Sequence, residues 1–540
     1  MLRNFLFLFI IALCACQSED TRTGKTVFRY NESNGITSLD PAFARNLENM
    51  WAVNQLFDGL VELDSTLQIR PLIAESWDIT DSGKTYTFFL RDDVKFHPSP
   101  LFRDSLNRTV NAEDVAFSFE RILDPELASP GKWIFDPLRD SAAIEVIDER
   151  TIVLHLDQPF PPFLGMLTTQ FANIVPKEVV THYGADFRSN PTGTGPFKFA
   201  FWMEDVALVF HKFDDFWERD SSGETLPYLD AVKISFVRDM SAEYLGLLQG
   251  QFDFMSGLHP AYKDELLSTN GELNDGFDQI RFQRTPFIKT DYIGILSDDS
   301  ILTAQNHPFK DKRVRQALNY AVDRASMVRY LRNNSVFEAG HGFVPKGLPA
   351  FDPSAEYGVN YDVEKAKALL AEAGFPEGQG IPPVAISTTG DYVDLCEFLQ
   401  FQWSKIGIQV EIDVLAGSAH REKVARSQAM MFRKSWLADY ASAENFLALF
   451  HTKNFTPGGP NYTHYSSAEF DSLYERAVST TDDLTRRQLY RQMDSLVMDA
   501  SPVIPLFYDQ VSHFIRQDVT HFETNPVNML DLKRTKKEEE

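Results

Sequence analysis

Cysteine is nearly absent from this chain, with Cys14, Cys16 and Cys396 the only three in 540 residues. Two of them close an apolar N-terminal stretch, so no disulfide framework can staple the fold, even in an oxidising compartment. Basic charge is scarce too, with 52 Lys and Arg against 77 Asp and Glu and a formal net charge of −25. Neutralising phosphates needs a basic surface, which excludes nucleic-acid binding as the main task. The acidic surplus serves solubility. The uninterrupted apolar run at the N-terminus, Phe5 to Leu13, falls short of the about 20 residues that a membrane-spanning helix needs. Catalytic motifs are missing as well. No Gly-x-Ser-x-Gly and no His-Glu-x-x-His occur, so a secreted hydrolase has no support and no enzyme, cofactor or metal is expected. His341, His451 and His464 are spaced in no metal-binding pattern. Cys396 falls in an amphipathic stretch, Asp391 to Ile406, where a buried apolar thiol is expected instead of a reactive one.

What is present begins with a targeting segment. Arg3 supplies one positive charge, the apolar run follows, and Leu13-Cys14-Ala15-Cys16 ends it. That ending resembles the bacterial lipobox, so Cys16 is the expected lipidation site; an ordinary signal peptide cut nearby is the alternative. Residues 1–15 would then be a lipoprotein signal peptide and 16–25 a polar tether. Lipid would hold a soluble body at a membrane, on its periplasmic side. The 540 residues exceed one core, and roughly three or four domain-sized units are expected.

The remainder alternates strand and helix signals, which predicts an α/β fold. Thr26 to Tyr30 reads as a strand and Asn46 to Phe57 as a helix. Two aromatic and β-branched runs flank Asp81-Ser82-Gly83, so residues 70–97 read as a hairpin. Asn111 is placed to cap the helix after it. Val206 to Lys212, Val232 to Val237, Tyr292 to Leu296, Ile408 to Val414 and Pro502 to Tyr508 read as strands. Ser241 to Gln249 reads as a helix closed by Gly250, and Tyr361 to Ala373 as one capped by Asp362 and stopped by Gly374. Ser466-Ser467-Ala468-Glu469 reads as a capping box. No internal repeat is evident.

Several of these blocks resemble one family in the same order. Ala74-Glu75-Ser76-Trp77 with Thr85-Tyr86-Thr87-Phe88 and Val94-Lys95-Phe96-His97, the block Asn111 to Phe119, Asn190-Pro191-Thr192-Gly193-Thr194-Gly195-Pro196-Phe197, and Pro308 to Leu318 resemble the family 5 extracellular solute-binding proteins. These are the oligopeptide and dipeptide binders of ABC importers. The resemblance implies a two-lobed periplasmic-binding-protein-like α/β fold of type II, in the large cluster with an extra subdomain and a hinge between lobes. It implies one lobe built from residues 26–66, 190–288 and 512–532, carrying 67–189 as an inserted subdomain. Residues 289–511 would form the second lobe and 533–540 a flexible tail. Thr192 replaces the family's usual valine, and Asp298 to His307 is a longer excursion than usual.

The same resemblance bears on Ser435-Trp436-Leu437-Ala438-Asp439-Tyr440. From the residues alone, Asp439 is a turn residue, a helix start signal or a carboxylate in a partly dry cleft. The family's aspartate at this place pairs with the α-ammonium of a bound peptide, and Ser435, Trp436 and Leu437 would line the peptide main chain. Arg433 matches an arginine that receives a peptide carboxylate in some members; the alternative is a solvated surface arginine beside Lys434. Gly35, Ile36 and Thr37 match the loop forming the opposite wall. Ala441-Ser442-Ala443 depart from the usual Pro-Asp-Pro, with Ser442 still able to cap the next helix. The implied partners are a peptide ligand, a membrane permease with a separate ATPase, and a membrane through the lipid, the chain itself acting as a monomer. A same-fold binder of a nickel chelate, haem or an oligosaccharide is the alternative.

Overall fold

The computed structural model describes residues 25–103, 108–259, 262–355 and 357–538. The expected targeting segment, tether and Cys16 lie outside them. Two long antiparallel strands, Ile280–Ile295 and Val503–Arg516, run through the middle of an eleven-stranded sheet. On one side follow Phe254–Ser256, Val27–Asn31, Ala231–Ser235, Ala207–Lys212 and Phe197–Met203; on the other, Met431–Leu437, Val384–Thr388 and Val410–Val414. Each half of the sheet belongs to one lobe, and the long pair is common to both. Their pairing runs from Ile280 to Pro286 and from Thr290 to Gly294, with register breaks between Pro286 and Thr290 and between Asp291 and Tyr292.

The burial of the strand Ile280–Ile295 changes along its length. Its first part is mostly half-exposed, whereas Tyr292 to Ile295 are fully buried. In the second lobe both faces of the sheet are covered, as a sheet with parallel strands requires. Ile293, Ile386 and Met431 pack with Phe309, Leu318 and Trp403 on one face; Tyr292 and Phe432 pack with Phe343, Phe446, Met493 and Val497 on the other. Cys396 is buried in the first of these cores, on the helix Val393–Ser404, and burial raises its thiol pKa.

In the first lobe the predicted hairpin forms as Ala74–Thr80 and Thr85–Leu90, and Thr151–His155 and Ile144–Asp148 extend it to four antiparallel strands. Asn111 caps the helix Ala112–Leu123 in a reciprocal box with Asp114. The glycine-rich segment 190–197 is a turn pressed against the end of the helix Leu47–Leu56. A Cβ on Gly193 would lie 2.1 Å from the Leu56 carbonyl oxygen, which is why glycine is required there.

Two expectations are corrected and a third gains detail. Residues 533–538 are docked and do not form a loose tail. Lys533 Nζ sits 2.7 Å from Glu62 and 3.2 Å from Glu218, Lys536–Lys537 pairs with Val519–Thr520, and Lys537 Nζ lies 2.8 Å from Asp253. Lysines in a charged run look solvated until buried carboxylates are found opposite them. The helix Ala468–Ser479 is capped by Ser467, which accepts from the Phe470 N–H, in place of the Ser466 box. The excursion after Leu296 contains the short helix Asp299–Ala304, capped by Asp298.

Candidate functional site

The strand Met431–Leu437 pairs on one side with Ile280–Ile295 along its whole length. On its other side Val384–Thr388 meets only Met431 and Phe432. Beyond Phe432, therefore, the backbone of Ser435, Trp436 and Leu437 pairs with no strand on that side. Alternation puts Arg433, Ser435 and Leu437 on one face and Lys434 and Trp436 on the other.

Asp439 follows two residues after this strand and precedes the helix Ala443–Leu447, which Ser442 caps as expected by accepting from the Glu444 N–H. One side chain organises the turn. Asn445 Oδ1 accepts from Trp436 Nε1 at 2.9 Å and from the Asp439 N–H at 3.2 Å, while its amide nitrogen donates to Asp439 Oδ2 at 3.3 Å. Asp439 thus has one carboxylate oxygen steered by Asn445 and the other unpartnered, and it makes no ion pair among the described residues. Its surroundings raise the carboxyl pKa, chiefly by burial, against the lowering effect of the Asn445 bond. Asp439 as a residue is exposed.

Behind Asp439, Glu444 is buried and accepts from the hydroxyls of Tyr440 and Tyr474. Burial raises the Glu444 pKa, and those two hydrogen bonds oppose the rise. This fixes Tyr440, whose ring packs into the first lobe's core and stacks on Trp133 at 5.9 Å and 27°. Trp133 lies in residues 67–189, the segment expected to form an inserted subdomain, so this contact ties that segment to the turn beside Asp439. Tyr462 lies within electrostatic reach of Asp439.

Arg433 is buried, not solvated. Its guanidinium pairs with the fully buried Asp291 and lies 3.2 Å over the ring of Tyr392. Asp291 also faces Lys289 at 3.3 Å, and Lys289 meets Asp509 at 2.6 Å. The carboxylate that this arginine holds is the protein's own. Its carbonyl oxygen is also occupied, by His420 Nε2 at 2.9 Å.

The expected opposite wall stands in the first lobe. Gly35 has φ +76° and open space where a Cβ would be; Ile36 is buried; Thr37 is tied through both its N–H and its hydroxyl to Asn49, each at 3.0 Å. Thr37 borders a cavity of about 1160 Å³ between this loop and the inserted part, shared with Arg45, Asn49, Leu127 and Pro130. No residue of 433–439 borders that cavity. The link between the two walls runs through Trp133 and Ser129, whose hydroxyl donates to the Ala42 carbonyl at 2.7 Å. The structure therefore unites Trp436 and Asp439 through Asn445, and leaves Gly35 to Thr37 on a separate wall.

Asn445, Glu444, Tyr462 and Trp133 escaped the sequence analysis. A signal existed for Asn445 alone, as a polar residue on the helix next to the aspartate. The three histidines are dispersed: His341 packs on Phe351, His451 on Tyr474, and His464 Nδ1 lies 3.0 Å from Asp298. Among the described residues no group of three or more side chains could hold a metal ion. No helix there is long and apolar enough to cross a membrane.

Comparison with known proteins gives this geometry a family. The dipeptide-binding protein of Escherichia coli (strain K12) is 27% identical over 492 residues, 87% of each chain. Heme-binding protein A of Haemophilus influenzae is 29% identical over 511 residues, 91% of this chain and 88% of the relative. Among solved structures, the ABC transporter-associated periplasmic binding protein DppA of Helicobacter pylori, in complex with peptide STSA, superposes with a TM-score of 0.73 at 26% identity, covering 95% of this chain and 98% of that one. Residues 68–457 match the family described as bacterial extracellular solute-binding proteins, family 5. The chain belongs to that family of extracellular solute-binding proteins and has its two-lobed, type II periplasmic-binding-protein fold.

Proposed function

We propose that this chain is the solute-binding component of an ABC importer, capturing di- to oligopeptides between its lobes and delivering them to a membrane permease energised by a separate ATPase. The observation that carries this reading is the geometry at Asp439, an exposed carboxylate steered by Asn445 and paired with no cation among the described residues. A peptide's primary ammonium supplies the missing charge through charge-assisted hydrogen bonds. The unpaired edge at Ser435 and Leu437 suits an extended peptide added as a strand, a mode that ignores side-chain identity. Relatives named for dipeptide and peptide ligands support the same reading.

Closure would turn on the two long strands, where pairing breaks between Pro286 and Thr290. Ligand contacting both lobes stabilises the closed form, which the permease reads. Lipid on Cys16 would keep the protein beside that permease.

Native mass spectrometry of protein purified without refolding tests the ligand class. A ladder of co-purified peptides is expected; haem, as in the name of one relative, or a metal chelate or sugar in its place would overturn the peptide reading. The same cells test the anchor, since Cys16→Ser should move the protein from the membrane to the soluble fraction, and continued membrane association would refute lipidation there.

A further inference from the structure

Between Pro286, which faces Gln510, and Thr290, which faces Tyr508, the strand Ile280–Ile295 sets Phe287, Ile288 and Lys289 against Asp509 alone. A bulge of this kind re-aims the groups of the strand that carries it. Here the backbone of one residue reaches two places. The N–H of the fully buried Ile288 donates to the Pro526 carbonyl at 3.0 Å, and the Ile288 carbonyl accepts from the Ala438 N–H at 3.1 Å. Ala438 directly precedes Asp439. Pro526 opens a segment fastened to the helix Leu47–Leu56 of the first lobe. Trp51 Nε1 donates to the Asn528 carbonyl at 2.7 Å, and Asn54 and Gln55 donate to the Leu530 carbonyl at 3.0 and 2.7 Å. Ile288 therefore stands between a first-lobe segment and the turn that bears Asp439.

Charge closes the bulge from the side. Lys289 Nζ lies 2.6 Å from Asp509 and 3.3 Å from Asp291, and Asp291 in turn holds Arg433. Asp291 itself sits at the second register break, where Leu506 is the unmatched residue. Carboxylates and cations thus alternate across three neighbouring strands, from Val503–Arg516 through Ile280–Ile295 to Met431–Leu437. Burial lowers the Lys289 pKa, but Asp291 and Asp509 outweigh it and hold the ammonium above the usual lysine value. The side chains of Lys289 and Asp509 are 21% and 24% exposed, so salt screens this pair less than one on the open surface.

We infer that residues 287–289 are a coupling device. The Lys289–Asp509 clasp fixes Ile288, and Ile288 makes the turn at Asp439 and the first-lobe segment at Pro526 shift together. The setting of the lobes is then felt at the candidate site, and by linkage occupancy of that site is felt where the lobes join. The coupling does not depend on the class of ligand; its use in peptide capture rests on the reading above.

The test is hydrogen–deuterium exchange of the full chain without ligand, comparing wild type with Asp509→Asn and Asp509→Glu. Asp509→Asn removes the charge of the clasp and keeps its shape. It should speed exchange by about threefold in three separate stretches, 287–290, 436–440 and 525–530, and leave the core helix Val393–Ser404 unchanged. Asp509→Glu should keep all of them near wild type. Faster exchange confined to 287–290, or none anywhere, overturns the coupling. Faster exchange in Val393–Ser404 as well marks a general loss of stability and overturns it too. Di- to pentapeptides of alanine then test its use. In the wild type they should slow the three stretches together, and calorimetry should show binding to Asp509→Asn about threefold weaker. Slowing at 436–440 alone overturns the coupling. Failure of every such peptide to bind the wild type overturns the peptide reading instead, and exchange without ligand still decides the coupling.

Discussion

Asp439 is held in a condition that costs the empty protein something. Burial opposes its charge, and a single amide hydrogen bond offsets part of that cost. An ammonium would offset the rest. Asp439→Asn should therefore weaken peptide binding by about tenfold to a hundredfold, the worth of a charge-assisted hydrogen bond. The ligand-free melting temperature should stay level or rise slightly, since a desolvated charge is gone. N-acetylated peptides should bind the wild type as poorly as free peptides bind the variant, and should lose nothing further in the variant. Calorimetry showing equal affinity of wild type and variant for free peptides would place the amine elsewhere. Asp439 and Trp436 were legible because their motif is local. The internal partner of Arg433 was not legible, because a guanidinium suits any carboxylate and the one it meets, Asp291, is 142 residues away in sequence. Strand alternation predicts that Lys434 and Trp436 share a face; what lies opposite them it leaves open.

Secondary structure was read best where the signal is confined to one turn. Caps at Asn111, Asp362 and Ser442 stand where expected, since a capping side chain bonds backbone two or three residues away. The strand Ile280–Ile295 was read only in its buried half, because it crosses two environments and the other half lacks the apolar pattern, and Val503–Arg516 was read only as far as Tyr508. The helix Asp483–Ala500 likewise conceals its most consequential residue. Its Asp494 is buried and accepts from the Phe343 N–H at 2.8 Å and the Val344 N–H at 3.4 Å. Burial pushes its pKa up to about 7, against the lowering effect of those two bonds. A carboxyl whose folded pKa is raised stabilises fully below its unfolded value near 3.9 and loses that contribution as pH rises to about 7. Asp494→Asn should thus gain on the wild type between about pH 4 and pH 7, by on the order of a few kcal/mol, with the difference constant above. Urea unfolding across that range checks it, and a difference that stays constant throughout would refute the buried proton.

At the scale of the whole molecule, the stack of Trp133 on Tyr440 ties the segment expected as an inserted subdomain to the turn that bears Asp439. Glu444 holds Tyr440 in place for it. An aromatic pair of this kind is worth about 0.5–1.5 kcal/mol beyond its buried area. Trp133→Ala should accordingly weaken peptide binding by about threefold to tenfold, with the loss on acetylation of the amine unchanged. Solution scattering should show less ligand-induced compaction than in the wild type; equal compaction and affinity would mean the stack takes no part in closure. By itself the sequence determined the α/β class, most of the caps and turns, and the family. All of these are written in short stretches whose backbone bonds are local or whose side chains repeat with the period of a strand or helix. The tertiary structure alone decided that Arg433 is spent on Asp291, that the C-terminal lysines are docked and that Trp133 meets Tyr440. Each of these outcomes depends on which charges and rings a folded chain brings opposite one another, and burial then sets their worth: a charge that costs nothing in water must find a partner once the lobes enclose it.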